Sequence, residues 1–347
     1  MAAAIPSTQK QWAITGTGKG FETLQYVDGE VPSLGESEVL VRLHAASLNY
    51  RDLIIPQGKY PFPTRLPVVA ASDGAGEVVA VGAKVTRWKK GDRVVTLFNQ
   101  GHQYGPVSAE AAGTGVGGMV DGTLRPYAAF AETGLVRAPR NLSYAEAATL
   151  TCAGLTSWNA LYGLKAIKPG DSVLVQGTGG VSLFALQFAK AAGATVIATT
   201  SSKEKEEIVK KLGADHVLNY NEDRSWGETA RELTGGVGVD VVVEIGGGET
   251  MQQSLSAVRY EGTIAIIGFV GGGKVQASLL ECLSHICIAR GVYVGSRQQM
   301  EDMVAAIEAN DIHPVVDSKV FSLEQAKEAY EYQWAKSHVG KVVIEIK

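Results

Sequence analysis

A glycine-rich turn is the part of this sequence best suited to chemistry. Gly177, Gly179, Gly180 and Val181 lie in the stretch VLVQGTGGVS, where an apolar, strand-like segment runs into the helix-like segment LFALQFA. Glycines allow the backbone to approach a pyrophosphate closely, and the free N–H groups of the following helix favour negative charge. We therefore predict that these four residues bind the phosphates of a dinucleotide.

The surrounding sequence supports this reading, although the motif is imperfect. Ser182 replaces the third glycine of the usual G-x-G-x-x-G pattern, which by itself is a weak signal. A second apolar stretch, Thr195–Thr199, follows the helical pattern after Gly193 and completes a βαβ unit of about 30 residues. The alternative is a glycine-rich turn of an unrelated α/β protein.

The end of this second strand indicates which dinucleotide is bound. Proteins that bind NAD usually carry Asp or Glu there, for the ribose 2′-hydroxyl. This chain has Thr199-Thr200-Ser201-Ser202, and lysines follow. We predict NADPH, with Ser201 and Lys205 contacting the 2′-phosphate. Alternatively, Lys205 belongs only to the solvated first turns of a helix.

Composition limits the function classes. The 347 residues suit two domains, with 45% hydrophobic and 20% charged residues. A net charge of −4 does not indicate the positively charged surface that binds nucleic acid or an anionic membrane, so neither partner is expected. The N-terminus lacks a secretory pattern, and three cysteines, an odd number in a large chain, argue against a disulfide framework. We expect a cytoplasmic protein.

Two kinds of periodicity divide the chain. Alternating stretches such as Val39–Leu43 predict a small, mostly antiparallel barrel up to about residue 98. Residues 98–123 are rich in Gly and Ala and predict a long functional loop. Ser143 and Glu146 have capping-box spacing, which predicts a helix start.

Strand and helix patterns alternate after this helix, which predicts a doubly wound parallel sheet. The predicted strands are Ser172–Gln176, Thr195–Thr199, His216–Asn219, Asp240–Ile245, Thr263–Ile267 and Val292–Val294. The last fifty residues have the patterns of two helices and a strand, Lys341–Ile346, without a core of their own. We expect them to fold back onto the first domain.

Together these motifs resemble the medium-chain dehydrogenase/reductase superfamily over nearly the whole chain. The residues that carry the resemblance are Gly74-Ala75-Gly76-Glu77-Val78, Gly91-Asp92-Arg93-Val94 and the glycine-rich turn. The resemblance implies an α/β protein with a GroES-like β-barrel catalytic domain (1–153 and 296–347) and a Rossmann dinucleotide-binding domain (154–295). It also implies a homodimer and a small-molecule substrate.

The resemblance requires a check for zinc, because the best-known branch of the superfamily is zinc-dependent. In that branch a Cys, a His-Glu pair and a second Cys surround the catalytic metal. The matching positions here hold Asn49, Ser72-Asp73 and Cys152, and the loop for a structural zinc has no cysteine. Because catalytic zinc needs three protein ligands, we expect no metal.

The closest resemblance is to the zinc-independent quinone oxidoreductase and enoyl reductase branches. The run Ala46–Leu53 is similar to their cleft motif, in which Asn49 would face nicotinamide or substrate. Gln57-Gly58-Lys59-Tyr60-Pro61 is similar to the segment that places a catalytic tyrosine. A phenol suits hydride addition to an activated alkene, because the resulting enolate must be stabilised and protonated. Alternatively, Asn49 and Asp52 cap or terminate a strand, and Tyr60 is loop packing.

Further cofactor contacts are implied by position. In the resemblance, Thr156 contacts the nicotinamide and Tyr220 lies near the adenosine phosphate. Other candidates follow the later strands, where ligands bind in open α/β sheets: Gly246, Gly268, Phe269 and Val294. Each of them could instead be a turn or packing residue.

The sequence therefore predicts an NADPH-dependent, zinc-independent oxidoreductase that transfers hydride to a quinone or an activated C=C bond. Tyr60 and Asn49 are its predicted catalytic residues. One alternative is a zinc-free alcohol or carbonyl dehydrogenase of the same superfamily. A second alternative, of another class, is a non-catalytic NADPH-binding protein, since folds are reused without their chemistry.

Overall fold

The computed structural model of the chain describes residues 5–272 and 277–347. Its strands, in chain order, are β1 (Thr8–Ile14), β2 (Leu24–Glu30), β3 (Glu38–Ser47), β4 (Val68–Val69), β5 (Asp73–Val81), β6 (Arg93–Thr96), β7 (Tyr127–Ala131), β8 (Leu135–Arg137), β9 (Ser172–Gln176), β10 (Thr195–Thr200), β11 (His216–Asn219), β12 (Val239–Glu244), β13 (Val258–Ile266), β14 (Ile288–Gly291), β15 (Phe321–Ser322) and β16 (Val343–Glu345).

Its helices are α1 (Tyr50–Ile54), α2 (Ala109–Ala112), α3 (Tyr144–Ala148), α4 (Leu155–Tyr162), α5 (Gly180–Ala191), α6 (Lys203–Lys211), α7 (Trp226–Glu232), α8 (Met251–Ala257), α9 (Glu281–Ser284), α10 (Arg297–Ala309) and α11 (Ala326–Trp334). A π-helical turn, Leu150–Gly154, precedes α4. None of the helices in the described residues has the length and apolar character needed to cross a membrane.

The chain forms two compact units. The first comprises Met1–Leu155 and Gly295–Lys347, and the second comprises Thr156–Val294. The predicted boundaries, 153/154 and 295/296, lie within two residues of these limits.

The first unit is built on mostly antiparallel sheets, as the period-two pattern predicts, although β15 pairs with β16 in parallel. Its larger sheet has the order β15-β16-β3-β5-β6-β8, and β7 also pairs with β3. A smaller sheet has the order β2-β1-β4. Alternate residues of β3, including Val39, Val41 and Leu43, face a buried core, which explains their apolar spacing.

The C-terminal residues complete this first unit. Strand β16 pairs with the end of β3, where Val343 lies opposite Ser47. Phe321, Tyr330 and Ile344 join the core of the unit. The prediction that the last fifty residues fold back onto the first domain is therefore confirmed.

The second unit is a six-stranded sheet with the order β11-β10-β9-β12-β13-β14, and all neighbouring pairs are parallel. This order corresponds to the 3-2-1-4-5-6 arrangement of a doubly wound dinucleotide fold. The predicted fold class is confirmed.

One strand prediction is wrong. The edge strand is Ile288–Gly291, and Val292–Val294 follow it outside the sheet. Val294 has φ of 49°, in the left-handed region that a strand does not allow. The Val292 N–H still donates to the Ile266 oxygen at the end of β13, at 2.9 Å, but the strand itself ends at Gly291. The apolar alternation in Val292–Val294 reflects burial of Val292 and Val294.

Candidate functional site

The glycine-rich turn joins β9 to α5 in the second unit. Gly177 has φ of 73°, and a Cβ placed on Gly177 or Gly179 would meet no atom within 4 Å. The space beside this backbone is open, and α5 begins without a side-chain cap on its N-cap residue, Gly179. The first turn of α5 thus points unpaired N–H groups at an open cradle, which fits a bound pyrophosphate.

Ser182 explains the departure from the usual motif. Its side chain is fully buried, and its hydroxyl donates to the carbonyl oxygen of Gln176 at 2.5 Å. The serine therefore satisfies a carbonyl at the end of β9 while still allowing α5 to pack closely. The substitution is compatible with the motif.

The ends of β10 and β11 bring together the residues predicted for the 2′-phosphate. The Tyr220 N–H donates to the Thr200 oxygen at 3.0 Å, and the Asn221 amide donates to the Ser201 oxygen at 3.0 Å. Lys205, in the first turn of α6, is half-buried, and the buried Thr200 hydroxyl lacks a hydrogen-bond partner. This end of the sheet presents hydroxyls and a lysine, without a carboxylate in β10.

Sequence reasoning missed a buried network behind the predicted glycine Gly246. Glu244 ends β12 with no exposed surface, and its Oε1 accepts from the backbone N–H groups of Gly246 and Gly247, both at 2.9 Å. Gln176 donates to Glu244 at 2.7 Å, which ties the turn to β9. The available signal was a glutamate directly after the apolar run Val241–Val243 of β12.

Four other predicted cofactor residues belong to the second unit. Thr156 is 4% exposed in α4, while Phe269 is 45% exposed after β13. A Cβ on Gly268 would lie 2.9 Å from the Ile245 oxygen, so close backbone packing explains that glycine. The Val294 oxygen accepts from the Asn159 amide at 2.7 Å, which holds its left-handed backbone. These contacts do not test whether the four residues bind a cofactor, so their cofactor-binding roles stay predictions.

In the first unit, α1 positions Asn49 and its neighbours. Asn49 is the N-cap of α1, and its N–H donates to Asp52 Oδ2 at 2.8 Å. Asp52 also accepts from Arg51 at 3.0 Å. Burial raises the pKa of Asp52 to about 6, although the Arg51 charge opposes the shift. Asp52 therefore caps the start of helix α1 by accepting from the N-cap residue.

Arg51 connects this helix start to Tyr60. The arginine is 8% exposed, and its guanidinium carbon lies 5.1 Å from the Tyr60 ring centre and 5.0 Å from that of Phe98. Both rings are therefore within cation–π distance of the Arg51 charge. Arg51 thus packs on the ring of Tyr60, and the Tyr60 hydroxyl can donate to an acceptor.

A second buried cation, Lys341, lies at the positions that the resemblance assigns to zinc ligands. Its ammonium donates to Asn49 Oδ1 at 2.5 Å and lies 3.4 Å from Asp73 Oδ2. Asn49 Nδ2 is 3.5 Å from the Ser72 hydroxyl, which donates to Asp73 at 2.8 Å. Sequence reasoning did not single out Lys341, because its partners are about 270 to 290 residues away in the chain.

These residues do not fit a zinc ion. An amide, a hydroxyl and a neutral thiol are poor ligands for Zn²⁺, and burial raises the pKa of the Cys152 thiol to about 12. The Lys341 ammonium would repel a cation placed beside Asn49. Within residues 5–272 and 277–347, no cluster of three or more His, Cys, Asp or Glu side chains could hold a metal.

Family models match both units of the chain. The model described as alcohol dehydrogenase GroES-like domain matches residues 35–140, and the model described as zinc-binding dehydrogenase matches residues 180–309. Each of these names describes the whole family that the model represents, rather than any individual protein that matches it.

Individual relatives match over nearly their full length. A zinc-type alcohol dehydrogenase-like protein of Schizosaccharomyces pombe is 50% identical over 94% of this chain and 96% of its own. A quinone oxidoreductase of Pseudomonas aeruginosa is 31% identical over 94% of this chain and 96% of its own.

Solved structures show the same similarity. A protein of Sinorhizobium meliloti 1021, described provisionally as an alcohol dehydrogenase, is 39% identical with a TM-score of 0.90, covering 99% of this chain and 100% of that one. The 2-octenoyl-CoA carboxylase reductase CinF, in complex with NADP and 2-octenoyl-CoA, is 25% identical with a TM-score of 0.87, covering 99% and 89%.

Proposed function

Because this chain belongs to the medium-chain dehydrogenase/reductase superfamily, whose members bind a nicotinamide cofactor, we propose that it is an NADPH-dependent, zinc-independent reductase of quinones or activated C=C bonds. Membership makes it an oxidoreductase. Cofactor preference, metal independence and the acceptor are the parts that we propose.

The observation that carries the proposal is the pair of buried cations at the catalytic positions. Lys341 donates to Asn49, and Arg51 lies over the ring of Tyr60. The Asn49 amide N–H and the Tyr60 O–H can each donate a hydrogen bond to a ligand oxygen. A site that offers donors suits an acceptor whose carbonyl oxygen gains negative charge.

The reaction follows from these donors. NADPH, when bound, supplies a hydride. Addition of hydride to the β-carbon of an enone places negative charge on the carbonyl oxygen, and addition to a quinone does the same. The Tyr60 hydroxyl and the Asn49 amide stabilise that charge by hydrogen bonds, and Tyr60 can supply the proton that completes the reduction.

NADPH preference is supported by the ends of β10 and β11. Ser201, Lys205 and Tyr220 lie together there, and β10 ends without a carboxylate that would repel a 2′-phosphate. The NADP complex of CinF is consistent with this preference.

A homodimer is also proposed. Strand β14 forms one edge of the second unit's sheet, and apolar side chains are exposed on β14 and on the segment before it: Leu279, Leu280, Leu283, Ile286 and Ile288. Soluble proteins generally cover or pair such edges. A second copy of this chain would cover it.

The alcohol dehydrogenase names of two relatives favour a second candidate, a carbonyl reductase that works without zinc. Oxidation of NADPH and NADH by chelator-treated protein distinguishes the candidates when a quinone, an enone and a simple aldehyde are compared. We expect turnover of NADPH with the quinone or the enone, and a saturated ketone as the enone product. Turnover only with the aldehyde, or only after zinc is added, would contradict the proposal.

A further inference from the structure

A buried lysine near the C-terminus contacts the candidate catalytic amide. Lys341 is 4% exposed, and its ammonium donates to the Leu48 oxygen at 2.7 Å as well as to Asn49 Oδ1 and Asp73 Oδ2. An ammonium has three protons, and these three acceptors use all of them. Lys341 therefore has no proton to offer a ligand, and any effect that it has on one must pass through a neighbour.

The polarity of the contact determines how the amide is oriented. Lysine only donates, so the atom of Asn49 beside it must be the oxygen, and Nδ2 must lie on the other side of the amide. Nδ2 carries two protons. Among the described residues it has one acceptor, the Ser72 oxygen at 3.5 Å, which is long for a hydrogen bond.

The directions of the hydrogen bonds on the Nδ2 side of Asn49, made by Ser72 and Asp73, are determined in the same way. Ser72 donates its proton to Asp73 Oδ1 at 2.8 Å, so its oxygen can accept from Asn49. The Asp73 carboxylate accepts from both Ser72 and Lys341, which places opposite charges together in the buried site. Lys341 can only donate and the Asp73 carboxylate accepts. Together they determine which atom donates in the hydrogen bonds that the Asn49 amide makes to Lys341 and Ser72.

We propose that Lys341 is a positioning residue that holds the Asn49 amide with Nδ2, rather than Oδ1, turned toward the substrate. The proposal rests on the function proposed above and deepens it by specifying the substrate class. The acceptor must present a carbonyl or quinone oxygen to Asn49, since an N–H donor pairs with an oxygen acceptor. Without Lys341, either end of the amide could face the ligand.

A double-mutant cycle tests this inference, because residues that act through one another give non-additive losses. The variants are N49A, K341M and N49A/K341M, and kcat and KM are measured with NADPH and the best quinone or enone. We expect N49A to lower kcat by about 10²-fold, as loss of one oxyanion donor does. K341M should lower kcat by most of the same factor, and the double variant should lower kcat by no more than N49A does.

Two further variants separate positioning from folding. K341R keeps a buried donor and should recover at least about tenfold of the kcat that K341M loses, whereas K319M is a matched control on the exposed Lys319 and should leave kcat unchanged. N49D keeps an acceptor for Lys341 but lacks the N–H donor, so it should be as slow as N49A. If K341M does not fold, the kcat of N49D tests the inference instead.

Additive losses in the cycle, or an N49D variant as fast as wild type, would overturn the inference. If the wild-type protein reduces none of the acceptors, the proposed function is wrong. The orientation of the Asn49 amide is then measured by NMR, which does not require activity. In protein labelled with ¹⁵N-asparagine, the Asn49 side-chain amide signals should shift between wild type and K341R less than between wild type and K341M. Equal shifts would overturn the inference independently of the proposed function.

Discussion

At the scale of single residues, the candidate site pairs each predicted catalytic group with a buried cation. Arg51 lies over the ring of Tyr60, and Lys341 donates to Asn49. Each cation is compensated by a carboxylate, Asp52 or Asp73. In the reduction proposed above, this arrangement would place positive charge near the oxygen that becomes negative, without a metal.

Tyr60 gives the most direct test of the chemistry. Tyr60→Phe removes the hydroxyl that can protonate the product, so kcat should fall by about 10²-fold while NADPH affinity stays the same. Steady-state kinetics and a fluorescence titration with NADPH measure the two quantities. Tyr104→Phe, at a side chain that is 75% exposed, is the control. A Tyr60→Phe variant with wild-type kcat would assign this residue to loop packing.

Lys205 tests cofactor preference. Lys205→Ala should raise KM for NADPH by about tenfold or more and leave KM for NADH nearly unchanged, because a charge-assisted contact to the 2′-phosphate contributes about 2 kcal/mol. Lys203→Ala, two residues earlier and exposed, is the control. If both cofactors weaken equally, Lys205 supports the helix rather than the phosphate.

At the scale of elements, short polar contacts join segments that are distant in the sequence. Helix α3 begins with the predicted capping box, in which the Ser143 N–H donates to Glu146 at 2.8 Å. The same glutamate accepts from His313 at 2.7 Å, from the C-terminal part of the first unit. The hydrogen bond to Glu146 raises the pKa of His313 above 6.5.

This pair predicts a pH-dependent stability. Since the folded-state pKa of His313 exceeds its unfolded value, its contribution is fully present below pH 6.5 and is lost as pH rises through the folded pKa. His313→Gln should therefore lower the free energy of unfolding by about 0.5 kcal/mol at pH 6, a value typical of an exposed pair, and have little effect at pH 9. Urea unfolding at both pH values measures this. An equal effect at the two pH values would contradict the ion-pair account.

At the scale of the whole molecule, the proposed dimer makes a prediction about size. The wild-type protein should have twice the 36.6 kDa mass of one chain by light scattering after gel filtration. The double substitution Leu280→Glu and Leu283→Glu should produce monomers, because charge would replace side chains that are 74% and 77% exposed in the single chain. Leu164→Glu, at another exposed leucine, is the control. A monomeric wild type would exclude the dimer.

Local pattern was sufficient to predict much of the fold and several elements of the candidate site. The strand Ser172–Gln176, the glycine turn and the start of α3 were predicted where the structure has them. These features depend on neighbours in sequence, because side-chain alternation, backbone freedom at glycine and capping all act within a few residues. The edge strand was misplaced because burial and sheet pairing produce the same apolar pattern.

The sequence by itself determined the parallel sheet, the cradle for a dinucleotide and the absence of the usual zinc ligands at Asn49 and Ser72. Only the tertiary structure decided what occupies those positions, since Lys341 meets Asn49 across 292 residues of chain. It also decided that Arg51 lies over the ring of Tyr60 and that Glu244 holds the Gly246 turn. The direction of a hydrogen bond between buried groups depends on which donors and acceptors meet in space, and a one-dimensional pattern does not contain that information.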